Sequence, residues 1–336
     1  MIVVVTHATD LWVNHAKPSL MPQSWGNGAV GVDVFFVISG FVMTMSAPRL
    51  LHRQHPARLF LWRRVARIVP LYWLLTSVRL ALTHASRSLM VHGATSTWNI
   101  VASYLFLPSY SVSGDIRPVI PVGWTLNFEM MFYALFALAL GLRLPVLVVL
   151  VPVLGALSIL GFFLPPHPWA ILAYADPVVL DFLAGVLIAM TVPQWKRIAR
   201  VWRVLAACVG IALMLGYTPS ASISVLRILI IGGGAALLVG GTVASESDLR
   251  PVLPRWLLFL GDASYSIYLL QGFTLPLAAV LLGRAGVFAG RFGRTTGEAL
   301  CVVVGLLVTL IFASLLYQWI ELPMTNRLKQ LPVARG

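Results

Sequence analysis

Runs of mostly apolar residues, each closed by proline, glycine or a charged cluster, recur along the chain at about the 20-residue length that an α-helix needs to cross a bilayer. They lie near residues 1–14, 28–47, 65–83, 122–141, 144–164, 170–191, 203–218, 223–244, 256–283 and 298–320. The polar segments between them are short, with no internal repeat, low-complexity tract or soluble appendage. The pattern predicts an all-α fold, a polytopic integral membrane bundle of about ten transmembrane helices. It occupies residues 1–323 and is followed by a short tail, 324–336. A further apolar stretch, Trp98 to Tyr110, contains Pro108 and is too short to span; it predicts a re-entrant or interfacial segment. Residues 1–20 have no basic region ahead of Ile2 to Val5, so they do not read as a signal peptide. Few apolar residues precede Thr6 and His7, so the first helix either has more chain upstream or enters tucked against its neighbours.

Composition sharpens this picture. The 336 residues are 59% hydrophobic and 10% charged, with a mean hydropathy of +0.89, whereas soluble domains carry about 25% charge. A soluble enzyme, a disordered chain and, with two cysteines, a disulfide scaffold are excluded. Cys208 and Cys301 sit in apolar runs as small hydrophobes. The net charge of +13 resides in short inter-span loops, which reads as topology rather than as a surface for nucleic acid. Arginines from Arg49 to Arg67, and Lys196, Arg197, Arg200 and Arg203, belong to the cytoplasmic side. With ten spans these loops share a side with Arg143, Arg250, Arg255 and the tail, which puts both termini in the cytoplasm of a cell that carries the protein in its plasma or inner membrane. Arg284, Arg291 and Arg294 fall on the other side.

Ionisable residues inside apolar spans cost about 2.5–3.5 kcal/mol each on insertion scales and mark functional sites by default. His7, Asp33, Glu129, Asp181 and Asp262 are such residues, with Glu298 and Glu321 at span ends. His7, in an apolar helix, is a candidate general base, with a cross-helix hydrogen bond as the plain alternative. His15, His52, His55, His84, His92 and His167 fall in loops without zinc-site spacing, so no metal is expected. Asp33 sits in a glycine-rich, close-packing segment and needs a partner, an arginine or His7. Arg63, Arg64 and Arg67 stand near one helix end. Arg64 and Arg67 share a face at i, i+3, a geometry that fits phosphate oxygens or, more simply, anionic lipid. Trp124, Asn127, Glu129 and Tyr133 open another helix, with Glu129 and Tyr133 paired at i, i+4.

These segments, in order, resemble the membrane-bound acyltransferase-3 family: Thr6-His7-Ala8, Gly31 to Phe41, Arg64 to Pro70, Trp124 to Glu129 with Phe132-Tyr133, Phe182 to Gly185, Leu260 to Leu270, and Glu321-Leu322-Pro323. The resemblance spans nearly the whole chain. It implies transfer of an acyl group, acetyl by default, from cytoplasmic acyl-coenzyme A to a hydroxyl of an extracytoplasmic carbohydrate or glycosylated acceptor, with no permanently bound cofactor. It also implies that His7 is catalytic, that Arg64 and Arg67, with Arg63 beside them, hold the coenzyme A, and that Glu129 belongs to the active-site cavity. Asp33 or Glu129 would orient the imidazole, and Trp124, Asn127 and Tyr133 would contact substrate. Two positions depart from the family. A basic residue usual about ten positions before the histidine has no counterpart after Met1, and Gln271 stands where a histidine commonly follows the Tyr-Leu-Leu motif. The rival class is a transporter or flippase of a glycan or lipid-linked intermediate, and a third is a structural or sensory subunit; neither requires acyl-coenzyme A.

Overall fold

The structure, a computed structural model, describes residues 1–17, 28, 30–85, 96–163, 169–217 and 225–330. His92, His167 and the last six residues of the tail lie outside them.

The apolar runs form helices α1 (Ile2–His15), α2 (Val30–Ser46), α3 (Pro56–Ala85), α4 (Trp124–Gly141), α5 (Val146–Phe163), α6 (Leu180–Arg197), α7 (Arg200–Gly216), α8 (Gly233–Ala244), α9 (Ser264–Arg284) and α10 (Arg294–Leu316). Among the described residues, eight helical stretches are long and apolar enough to cross a membrane. Helices α1 and α7, of 14 and 17 residues, are shorter. The protein is therefore a polytopic helical membrane bundle.

Local chemistry moves several boundaries away from the apolar pattern. Helix α3 starts at Pro56, a residue suited to a first turn because its missing N–H would have no partner there. Arg63, Arg64 and Arg67 consequently lie well inside a continuous helix rather than at its end. Helix α6 starts later than expected, because Asp176 accepts from the Val178 amide at 2.9 Å and Pro177 follows it. Short 3₁₀ turns fill residues 170–179 instead. The run 256–283 divides at Ala263 into Arg255–Asp262 and α9. Helix α8 is entered through a π-helical turn, Ile228–Gly232.

The segment expected to be re-entrant or interfacial holds only an eight-residue helix, Thr97–Tyr104, capped by Ser96. At about 1.5 Å per residue it is far too short to cross a bilayer. It lies against α3, where Trp73 donates to the Tyr104 carbonyl at 2.9 Å.

Helices α2 and α6 pack closely against each other. Each contributes a glycine where the other's backbone arrives. A Cβ on Gly40 would stand 2.1 Å from the Phe182 carbonyl oxygen, and one on Gly185 would stand 2.0 Å from that of Val37. Such approach is the usual device where hydrocarbon solvent removes the hydrophobic drive for helix association and packing must supply it. Phe182 then packs between the tilted ring of Phe36, 4.5 Å away, and that of Phe132, on which it stacks at 4.2 Å, which joins α4 to the pair. Phe60 of α3 stacks on Phe136 at 5.0 Å. Four helices thus share one aromatic core. Helix α1 packs instead on α9 and α10, with Trp12 seated over Gly297.

Gly40→Ala or Gly185→Ala should lower the melting temperature of the detergent-purified protein, by overpacking that costs about 1–3 kcal/mol. Combining them should cost less than the sum, since both push the same two helices apart.

Candidate active site

The α2–α6–α4 core leaves a cavity of about 350 Å³ where α1, α2, α3, α4 and α9 converge. On α4 the residues Thr125, Glu129 and Tyr133 succeed one another at i, i+4 and i+8, and all three line it. Glu129 is buried, and its Oε1 accepts from the Tyr133 hydroxyl and, at 3.3 Å, from Ser39 of α2. Arg64 and Arg67 enter the same cavity from α3 and act electrostatically on Glu129. Arg64 also donates to Ser46 at 3.2 Å and lies over the Phe60 ring, 5.7 Å from its centroid. A buried carboxylate held by two hydroxyl donors and facing two guanidinium groups makes one polar face in a chamber whose other walls are mostly apolar. From α9, Tyr265 bonds the Ile68 carbonyl at 2.7 Å, and Tyr268 bonds the Val122 carbonyl at 2.6 Å and Thr125 at 2.8 Å. These bonds tie α9 to α3 and α4 around the chamber.

The C-terminal helix Leu322–Lys329 packs on α3, where Trp62 donates to the Leu328 carbonyl at 3.2 Å. It brings Lys329 within electrostatic range of Arg63, Arg64 and Arg67. Four cations thus gather at one end of the chamber. Lys329 carried no distinguishing signal in the sequence, because its closeness to α3 depends on a helix packed from the far end of the chain.

The remaining sequence candidates are distributed unevenly. His7 is not in the cavity wall, but Val3, which is, precedes it by one helical turn on the same face of α1. The imidazole's partner is neither Glu129 nor Asp33. It is Asp10, whose Oδ2 lies 3.3 Å from His7 Nδ1, with both side chains about two-fifths exposed, at 43% and 39%. Asp10 was legible as a carboxylate three positions after a histidine in an apolar span. With Nδ1 turned to Asp10, Nε2 remains for a substrate proton, the arrangement by which a carboxylate sets the tautomer of a basic histidine.

Asp33 belongs to another cluster. Arg227 donates to its two oxygens at 3.1 and 3.4 Å, and Asp181 is its hydrogen-bonding neighbour. Both carboxylates are buried, and the cluster binds α2, α6 and the approach to α8. Asp33 therefore has the arginine partner expected as one of two possibilities, and it sits away from His7. Trp124 stands edge-on to Phe128 at 5.7 Å, and Asn127 is buried; neither is in the cavity wall. Among the described residues no group of three or more His, Cys, Asp or Glu side chains is placed to hold a metal.

A family profile described as an acyltransferase domain matches residues 1–318. The chain belongs to that acyltransferase family. The acyltransferase is 37% identical, over 322 residues, to a protein of Rhizobium meliloti (strain 1021) named "Exopolysaccharide production protein ExoZ"; the match covers 92% of this chain and 93% of that one. No solved structure matches it. Membership makes this a membrane acyltransferase, and the transporter and structural-subunit readings give way to it.

Asp33→Asn should lower the melting temperature by weakening an ion pair inside the bundle. The cost is about 1–3 kcal/mol, below that of a fully buried pair because the Arg227 side chain is 27% exposed. The folded fraction should keep the acyl-transfer activity of the unaltered protein, measured per folded molecule.

Proposed function

We propose that the acyltransferase moves an acyl group, acetyl by default, from acyl-coenzyme A at its basic, cytoplasmic end to a hydroxyl of a carbohydrate arriving from the extracytoplasmic side. The observation that carries this reading is the convergence of Arg64 and Arg67 with Glu129 and Tyr133 in one cavity, whose α1 wall continues along a single helix face to His7. The positive-inside distribution of the basic loops supports the orientation. The relative's printed role in exopolysaccharide production supports a polysaccharide or its precursor as acceptor.

Arg64 and Arg67, with Arg63 and Lys329 around them, would hold the donor's phosphates by charge-assisted hydrogen bonds. The pantetheine arm then carries the thioester toward the chamber, so that only the acyl group has to pass between the two sides. Nε2 of His7 takes the proton of the acceptor hydroxyl while its oxygen attacks the thioester carbonyl. Collapse of the tetrahedral adduct breaks the carbon–sulfur bond, and the leaving thiolate takes the proton back from the imidazolium. Asp10 holds the ring and stabilises its transient charge. The cationic wall of the chamber favours the developing oxyanion. A covalent acyl-histidine would place the same residues in the same positions and divide the transfer into two steps.

Expression of the chain followed by mass spectrometry of envelope glycans and secreted metabolites should show an acyl-sized mass increase that disappears in His7→Ala. An unchanged increase in that variant would remove His7 from the mechanism. Arg64→Ala should raise the apparent KM for acyl-coenzyme A by about tenfold or more, with a smaller effect on kcat; an unchanged KM would return Arg64 to a topological role. Asp10→Asn should lower kcat roughly 10²-fold with donor KM unchanged, because the ring loses the carboxylate that fixes its tautomer.

A further inference from the structure

Arg79 is a cation held inside the bundle without an anion beside it. It stands on α3, on the far side of the chamber from the basic end, and is 7% exposed. Its Nη1 donates to the Gly272 carbonyl at 3.3 Å, and its guanidinium lies over the Phe273 ring, 6.0 Å from the centroid. All 11 acidic residues of the chain fall within the described residues. The ion pairs among the described residues are His7–Asp10, Arg203–Asp248 and Arg227–Asp33, so none reaches Arg79. A guanidinium has five N–H donors. One carbonyl and one ring face leave most of that capacity without a partner in the protein. A charged side chain so placed in a spanning helix marks a site by default.

Its surroundings extend the point. On the same face of α3, one and two turns nearer the chamber, the buried Thr76 and Tyr72 hydroxyls face each other and take no partner from another helix. On α9 the buried Gln271 Oε1 beside Gly272 is also without a partner. Gly272 follows Tyr268 by one helical turn, and Tyr268 lines the chamber. The α3–α9 seam is thus pinned at its inner end by Tyr265 on the Ile68 carbonyl and at its far end by Arg79 on the Gly272 carbonyl. Between the two pins it carries buried polar side chains, Tyr72, Thr76 and Gln271, toward the end where the acceptor would enter.

We infer that Arg79 is the anion-binding residue of an acceptor subsite, taking a carboxylate or phosphate group of the acceptor and orienting it so that its hydroxyl points into the chamber. The assignment rests on the proposed direction of acceptor entry. Two oxygens of such a group match the planar fork of a guanidinium, and Phe273 covers one of its faces. The anion comes either from an acidic sugar or from the diphosphate of a lipid-linked saccharide. A plain helix staple is the opposing account, in which Arg79 does no more than tie α3 to α9.

The test is a thermal-shift titration of the purified full-length protein in detergent, with coenzyme A at saturation so that Arg64 and Arg67 are occupied. Sodium methyl glucuronate, geranyl diphosphate and neutral methyl glucoside are the probes. The expected result is saturable stabilisation by one of the two anions and none by methyl glucoside. Arg79→Gln, which keeps a donor for the Gly272 carbonyl, should weaken that stabilisation at least tenfold, and Arg79→Lys should retain more of it. Coenzyme A affinity should be unchanged in both. Response to glucuronate assigns an acidic sugar, and response to the diphosphate assigns a lipid-linked acceptor. Absence of any anion response in the unaltered protein at millimolar concentration overturns the subsite, as does undiminished response in Arg79→Gln. If Arg79→Gln does not fold, the unaltered protein's titration and the Arg79→Lys variant decide alone. Acyl transfer does not enter this readout, so anion binding by a protein that transfers nothing would overturn the transfer reading and leave the subsite standing.

Discussion

Hydrocarbon offers no hydrogen bonds, so each polar group carried into a membrane bundle must find its partner inside the protein or be reserved for something that will arrive later. The arrangement of this acyltransferase follows from how that demand is met at each charged position. Where two carboxylates and an arginine converge, at Asp33, Asp181 and Arg227, the partners come from three separate helical segments, and the result is a tie between them. Where a carboxylate is enclosed by Ser39 and Tyr133 and faces two arginines from α3, the partners leave an open volume beside them. The first kind of cluster fixes the helices; the second kind makes a chamber that the fixed helices keep open.

Small residues decide where these clusters can form. The reciprocal fit of Gly40 and Gly185 brings the α2 and α6 backbones together, which packs the Phe36 and Phe182 rings together and sets Ser39 opposite Glu129. Gly232 does the same for the charged cluster, since a Cβ there would stand 2.6 Å from Asp181 Oδ1. The π-helical turn that includes Gly232 is a local departure from α-geometry of the kind that recurs near functional or strained positions.

Much of this was legible in the chain itself. The spans follow from apolar runs, which local composition determines, and Glu129, Arg64 and Arg67 stand out because a carboxylate inside a span and two arginines sharing a face are rare. What escaped depended on chain geometry at a finer scale or on distance along the sequence. Pro56, through its missing N–H, and Asp176, through one capping hydrogen bond, set helix starts that a hydropathy window averages away. The Asp33–Arg227 pair joins residues 194 positions apart, and no pattern local to either residue names the other. Asp10 and Arg79 lie inside predicted spans, yet they share their helices with more conspicuous residues, His7 on α1 and Arg63, Arg64 and Arg67 on α3. Their significance appears only once Nδ1 of His7 is seen to face one, and the other is seen to face no acid at all.

Helix α3 carries both sets of guanidinium groups on one unbroken element. Arg67 and Arg79 are separated by helical residues that rise about 1.5 Å each, or about 18 Å in all. Pro70 lies between them and removes one hydrogen bond of the helix, yet the helix stays continuous, so on the proposed reading α3 sets the distance between the donor's phosphates and the acceptor's anion. On that reading, a substrate pair whose combined reach matches that length would bring hydroxyl and thioester together. Selection for acceptor size would then be written in the length of α3 rather than in the shape of the loops that first meet the acceptor.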